Sequence, residues 1–264
     1  MSDTLNTVLL GIIEGITEFL PISSTGHLLI AERWLGERSE LFNVAIQAGA
    51  ILAIVLIYWR RLVSLVTRLD DPQNRDYLAK LTLAFLITSG LGFLATRHGW
   101  KLPETLLPVA LALLIGGLLI LLIEHHVAGR PASSVLTWKV AFWVGTSQIL
   151  AAVFPGTSRS AATIFAAMLV GLTFRPAATE FAFLVGIPTM FAATGYEFWK
   201  IRHHTHGEDW QALVIGFVVS GVVAFIAVKW LLRYVQTHRF TLFAWYRIVL
   251  GTALLAGVLT GALR

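Results

Sequence analysis

The segment Gly11-Ile-Ile-Glu14-Gly-Ile-Thr-Glu18-Phe-Leu-Pro21-Ile-Ser-Ser24-Thr-Gly26-His27 places two carboxylates and an imidazole in an otherwise apolar run. Glu14 and Glu18 are four residues apart, so on a helix they project from one face about one turn apart. Around them lie Val8, Leu9, Leu10, Ile12, Ile13, Ile16, Phe19 and Leu20, which belong in lipid or in a bundle core. An ionised carboxylate in that setting costs about 3 kcal/mol or more, and two adjacent ones repel as well. A cation, an arginine or a metal ion must compensate, which marks the stretch as a functional site.

Composition places this segment in a membrane. The 264 residues are 56% hydrophobic and only 13% charged, roughly half the charge of a soluble domain, and the mean hydropathy is +0.75. The chain therefore reads as an all-α integral membrane protein with several spans. Met1-Ser-Asp lacks the basic start of a cleaved signal peptide. Eight of the nine tryptophans (Trp34, Trp59, Trp100, Trp138, Trp199, Trp210, Trp230 and Trp245) fall near the ends of apolar runs, as an interfacial belt requires; Trp143 reads as interior. The absence of cysteine excludes disulfides, thiolate chemistry and cysteine-ligated metals. The net charge of +5 suits loops against anionic lipid. No basic face interleaved with aromatics is present, so nucleic acid is not an expected partner.

Six full spans are expected at roughly 41–59, 80–97, 104–124, 179–199, 211–232 and 243–262. Two further apolar regions, about 5–35 and 140–174, are interrupted by Pro21-Ile-Ser-Ser-Thr-Gly and Pro155-Gly-Thr-Ser-Arg-Ser. A polar, non-helical stretch at membrane depth is tolerated only where protein or a wet cavity surrounds it. Both regions therefore read as broken, re-entrant helical hairpins. They also resemble each other: superposing Gly11 on Gly145 brings Pro21 onto Pro155, Ser24 onto Ser158, Glu14 onto Gln148 and Thr25 onto Arg159. Each is followed by three spans, so residues 1–130 and 135–264 read as two repeats within one membrane domain.

Arg60, Arg61, Arg68, Arg75 and Lys80 cluster between the first two full spans and are expected on the cytoplasmic side. Alternation from there brings the first hairpin in from outside and the second from inside. An odd number of spans per repeat inverts the second copy, an arrangement that builds a midplane site from two broken helices.

The second broken segment reads Pro155-Gly156-Thr157-Ser158-Arg159-Ser160-Ala-Ala-Thr163. Gly156 lets the backbone turn, and Thr157 or Ser158 can cap the following helix. A helix start surrounded by hydroxyls and one arginine is an anion site, because free N–H groups point outward and a guanidinium grips phosphate bidentately. Arg159 can also neutralise Glu14 or Glu18. In the first segment Ser23, Ser24 and Thr25 offer hydroxyls, and His27 offers a base or nucleophile near neutral pH. The glutamates are hard oxygen donors suited to Mg²⁺ or Ca²⁺. Carboxylates for a divalent ion, a hydroxyl, an imidazole and an anion-binding helix end together make a phosphoryl-transfer set. In a membrane, its natural substrate is a lipid phosphate.

The strings EGITEFLPISSTGH and PGTSRSAAT closely resemble the two signature motifs of the BacA/UppP family, the undecaprenyl-diphosphate phosphatases. The likeness extends to Gln47-Ala-Gly-Ala-Ile-Leu-Ala, Thr179-Glu-Phe-Ala-Phe and Tyr246-Arg247, and so covers nearly the whole chain. One departure is Thr157-Ser-Arg-Ser-Ala161, where the family pattern carries an aromatic and a glycine. The resemblance implies a hydrolase that converts undecaprenyl diphosphate to the monophosphate carrier, recycling lipid for peptidoglycan synthesis and conferring bacitracin resistance. It implies a bacterial inner-membrane location, an active site on the outer, periplasmic face, and dependence on divalent metal. By motif, Glu14 and Glu18 match the acidic pair, Ser24 and His27 the serine and histidine, and Arg159 the arginine, with Ser158, Ser160 and Thr163 around it. Expected partners are the polyprenyl lipid substrate and bilayer lipids; a homodimer is compatible with the chain. Two readings of the nucleophile stand, Ser24 activated by His27 or His27 itself.

A lipid or ion-coupled transporter on the same repeats is the alternative, with the carboxylates binding coupling ions. A PAP2-type phosphatase fits poorly, since no His and Asp follow Ser158-Arg159 at suitable spacing. The remaining polar residues read as peripheral. His125-His126 and His203-His204-Thr-His206 are expected in solvated loops, and Asp70 and Asp71 in the basic loop. Glu180 is expected at the opening of a span, and Arg247 snorkelling or countering Glu180.

Overall fold

The computed structural model describes residues 3–100, 102–202 and 209–262, and these form eleven α-helices and no strand. The first broken region is α1 (Asp3–Thr17) and α2 (Ser24–Leu35). It is followed by α3 (Glu40–Ile57), the short α4 (Trp59–Thr67), α5 (Pro72–Arg97) and α6 (Leu106–Ala128). The second broken region is α7 (Trp138–Val153) and α8 (Arg159–Leu169), and α9 (Arg175–Ile201), α10 (Trp210–Thr237) and α11 (Thr241–Leu259) complete the chain.

Helices α3, α5, α6, α9, α10 and α11 are long and apolar enough to cross a membrane. At 1.5 Å per residue the 15, 12, 16 and 11 residues of α1, α2, α7 and α8 each fall short of a hydrocarbon core of about 30 Å. Pro21 and Gly156 stand between the members of each pair and break what would otherwise be two more spans.

Close helix packing rests on small residues, because lipid supplies no hydrophobic drive between spans. Helix α10 lies along α3 and α1, α11 along α6, α5 along α7, and α9 against α3, α5 and α8. A Cβ on Gly49 of α3 would lie 2.2 Å from the Phe217 carbonyl of α10. One on Gly11 would lie 3.1 Å from the Gly216 carbonyl of α10, and one on Gly145 2.6 Å from the Ala84 carbonyl of α5. The outward faces carry exposed Leu111, Leu118, Leu122, Val214, Val218 and Val222, the pattern of lipid contact.

Several sequence expectations are revised. Helix α5 starts eight residues before the expected span, because Asp71 caps it by accepting from the Gln73 amide (2.8 Å) and Pro72 fits its first position. Asp71 is therefore a structural cap, and Arg75 and Lys80 sit on α5 rather than in a loop. Lys80 is buried, paired with Asp76 and donating to the Leu136 carbonyl at 2.7 Å. His125 and His126 close α6, with His126 beside Arg130. His203, His204 and His206 lie outside the described residues. Trp143 is 46% exposed on α7. Glu180 lies inside α9 and pairs with Arg61 at 3.5 Å, so it neither opens the span nor meets Arg247.

Glu124 was not singled out by its sequence context, yet it is 1% exposed. It accepts from Arg175 through both Nε (2.9 Å) and Nη2, and from the Phe240 amide (2.9 Å). One carboxylate thus pins the end of α6 to the starts of α9 and α11, satisfying a helix-start amide that a membrane would leave unpaired.

Candidate active site

The two breaks meet. The Leu20 carbonyl accepts from Ser160 Oγ (3.1 Å) and Ser158 Oγ (3.4 Å), and the two hydroxyls lie 2.8 Å apart. The start of α2 and the second loop also meet the same residue of α6. Gly26 packs against Val109, and Gly156 approaches it so closely that a Cβ would come within 2.8 Å of the Val109 Cα. Gly156 has a φ of 87°, a conformation glycine adopts without strain, so that position is closed to other residues twice over.

Arg247 completes the junction. It does not snorkel: it is 1% exposed, and no carboxylate among the described residues pairs with it. Its guanidinium donates to the carbonyls of Ala112 (2.9 Å), Pro21 (3.3 Å) and Gly156 (3.4 Å). One side chain from α11 therefore holds α6 and both loops together. Its apolar surroundings disguised this in the sequence; only the Tyr246-Arg247 likeness hinted at it.

Around this junction the chemistry-bearing groups gather. Glu18 closes the last turn of α1, its amide bonding to the Glu14 carbonyl (3.0 Å), so the two carboxylates stack one turn apart. Both are buried, at 2% and 8% exposure. Ser24 Oγ donates to Glu18 Oε2 in a short contact, while Arg159 Nη2 stands 3.9 Å from Glu18 Oε1. Glu14 Oε2 is buried without a hydrogen-bond partner among the described residues. A buried carboxylate oxygen left unpaired is expensive to keep ionised.

His27 stands on α2 one turn beyond Ser23, three residues from Ser24, but is not bonded to it. Its Nδ1 meets the Ser23 carbonyl (2.6 Å) and its Nε2 the Tyr246 hydroxyl (2.7 Å). Ser23, the residue that caps α2, is the single non-glycine residue with positive φ (78°) among the described residues. Strain of this kind gathers at functional sites.

The remaining motif residues divide. Ser158 caps α8 through the Ala161 amide (3.2 Å), and Thr163 Oγ1 returns to the Arg159 and Ser160 carbonyls. With Ser160 these three are buried and committed to holding the junction. Thr25 is exposed at the start of α2. Arg159, with 29% of its side chain exposed, is the group positioned to reach a ligand.

A family profile described as "Bacitracin resistance protein BacA" matches residues 7–253. The chain belongs to the BacA family. It is 62% identical over 261 residues to an undecaprenyl-diphosphatase of Rhizobium johnstonii and 61% identical over 261 residues to one of Rhizobium etli, with 98% of both chains covered in each case. An undecaprenyl-diphosphatase of Xanthomonas oryzae pv. oryzae is 57% identical over 257 residues, covering 97% of both chains. The BacA match covers α2 to α10 entirely and most of α1 and α11.

Proposed function

We propose that this chain is an undecaprenyl-diphosphatase, releasing inorganic phosphate from undecaprenyl diphosphate and leaving the monophosphate carrier. The observation that carries the reading is the convergence of Glu18, Ser24 and Arg159 at the meeting of two broken helices in a six-span protein. The relatives' shared name supplies the substrate class. On this reading the protein recycles the lipid carrier for cell-wall synthesis at the bacterial inner membrane. Its site opens to the outer face, and its activity underlies bacitracin resistance.

Roles follow from the contacts. Ser24 Oγ attacks the terminal phosphorus while Glu18, its hydrogen-bond acceptor, takes the proton. The Oγ–P bond forms and the bridging P–O bond breaks, with the lipid monophosphate leaving. Arg159 holds the phosphoryl oxygens as negative charge spreads over them. Water then attacks the phosphoserine as His27 accepts its proton; the Oγ–P bond breaks, inorganic phosphate leaves, and Glu18 returns its proton to Ser24 Oγ. Ser24 bonds to Glu18 and not to His27, which favours this assignment over a Ser24–His27 pair and over attack by His27 itself.

Glu14 and Glu18 fit a divalent ion, Mg²⁺ or Ca²⁺, since the pair includes the orphaned Glu14 Oε2. When bound, such an ion would neutralise charge on the diphosphate.

We also read the chain as two inverted repeats. Exchanging α1 for α7 and α5 for α10 turns the α1–α10 packing into the α7–α5 packing. Gly11 and Gly145 make the close approach in each.

The test is phosphate release from a long-chain polyprenyl diphosphate by purified protein in detergent. Chelation should abolish release and added Mg²⁺ or Ca²⁺ restore it, with Glu14→Gln needing about tenfold or more metal. Ser24→Ala should lower kcat by several orders of magnitude. Full activity in Ser24→Ala would remove Ser24 as nucleophile, and no release by folded wild type would sink the phosphatase.

A further inference from the structure

One aromatic residue contributes its whole polar end to the site without a role in the steps above. Tyr246 stands on α11, and its hydroxyl lies 2.7 Å from His27 Nε2. The two rings are nearly parallel, 8° apart in plane, with centroids 5.6 Å apart. We propose that Tyr246 is a positioning residue that fixes which nitrogen of His27 is the base.

Hydrogen-bond chemistry dictates the assignment. The Ser23 carbonyl can only accept, so His27 Nδ1, 2.6 Å away, carries the hydrogen. In the neutral ring Nε2 is then the lone pair. The Tyr246 hydroxyl is both donor and acceptor, and facing a lone pair it donates. His27 is held from two sides, by the Ser23 carbonyl at the start of its own helix and by a phenol from the far end of the chain. Neither contact alone suffices: the carbonyl sets the tautomer, and the phenol stops the ring turning, giving up the Nε2 lone pair when the attacking water arrives.

The arrangement also ties the base to the junction. Tyr246 adjoins Arg247, which grips Pro21 and Gly156, so one turn of α11 registers both loops and the imidazole together. Tyr246 is 44% exposed, so its hydroxyl can be removed without emptying a core.

The catalytic half of this inference rests on the diphosphatase reading; the tautomer half does not. The experiment is nitrogen NMR of ¹⁵N-histidine-labelled protein in detergent, with His27→Gln assigning the signal, and phosphate-release kinetics on the same samples. Wild type should show the Nδ1–H tautomer with a hydrogen-bonded Nε2. Tyr246→Phe, which keeps the ring, should shift Nε2 toward a free lone pair and lower kcat about fivefold to tenfold with KM little changed. An Nε2–H tautomer in wild type, or an Nε2 signal and kcat both unmoved in Tyr246→Phe, would overturn the proposal. A wild type that releases no phosphate would count against the diphosphatase reading alone, and the Nε2 signal would still decide the clamp.

Discussion

Arg159→Ala is expected to lower kcat for phosphate release by about two to three orders of magnitude, the usual cost of removing one preorganised donor from developing charge. Arg159 stands 3.9 Å from Glu18, the proposed base, and its side chain is 29% exposed. The cap of α8 belongs to Ser158, so the helix start should survive the substitution. Arg159→Lys should recover only part of the loss, since an ammonium cannot reproduce a two-pronged grip on phosphate. Phosphate release measured beside wild type decides it. Equal rates would indicate a contaminating phosphatase or a phosphate held elsewhere.

Arg247→Met is expected to lower kcat about a hundredfold while changing stability far less. Three charge-assisted hydrogen bonds, roughly 1.5–3 kcal/mol each, are set against several kcal/mol for desolvating a guanidinium. Its Nε has no hydrogen-bond partner among the described residues. These quantities nearly cancel, so the arginine adds little net stability. What it supplies is registration: without it Pro21 and Gly156 lose their common donor and the loops can separate. A misplacement of about 1 Å at a reacting centre costs about a hundredfold. Tryptophan-fluorescence melting and phosphate release on one preparation separate the two effects. A melting temperature that collapses with the activity would make Arg247 a folding residue instead.

Local chemistry made much of this protein legible in its sequence. Apolar runs of about 20 residues announced six spans, and their cores fall where expected because backbone satisfaction in lipid allows little else. The ends were less legible. Asp71 and Pro72 carry α5 beyond its apolar stretch, and burial with Asp76 lets Lys80 sit inside a helix. Two carboxylates one turn apart, and an arginine at a helix start after Pro-Gly, were conspicuous because each is costly in a membrane without a purpose. That cost is a property of single residues and their near neighbours, and sequence displays it.

Partnerships across the chain were not displayed. Spacing put Ser24 and His27 on one helix turn and suggested they act on each other, yet Ser24 reaches Glu18, and His27 reaches Tyr246, 219 positions away. Arg247 looked like a snorkelling residue, and Glu124 was one acid at the end of a span. The sequence alone determined the membrane spans and marked two broken helices as the expected phosphate-handling site. Tertiary structure decided which of those groups bond to which, and what holds the breaks together. Those choices depend on contacts between distant helices, where a hydrogen bond extends only about 3 Å and no periodicity records it.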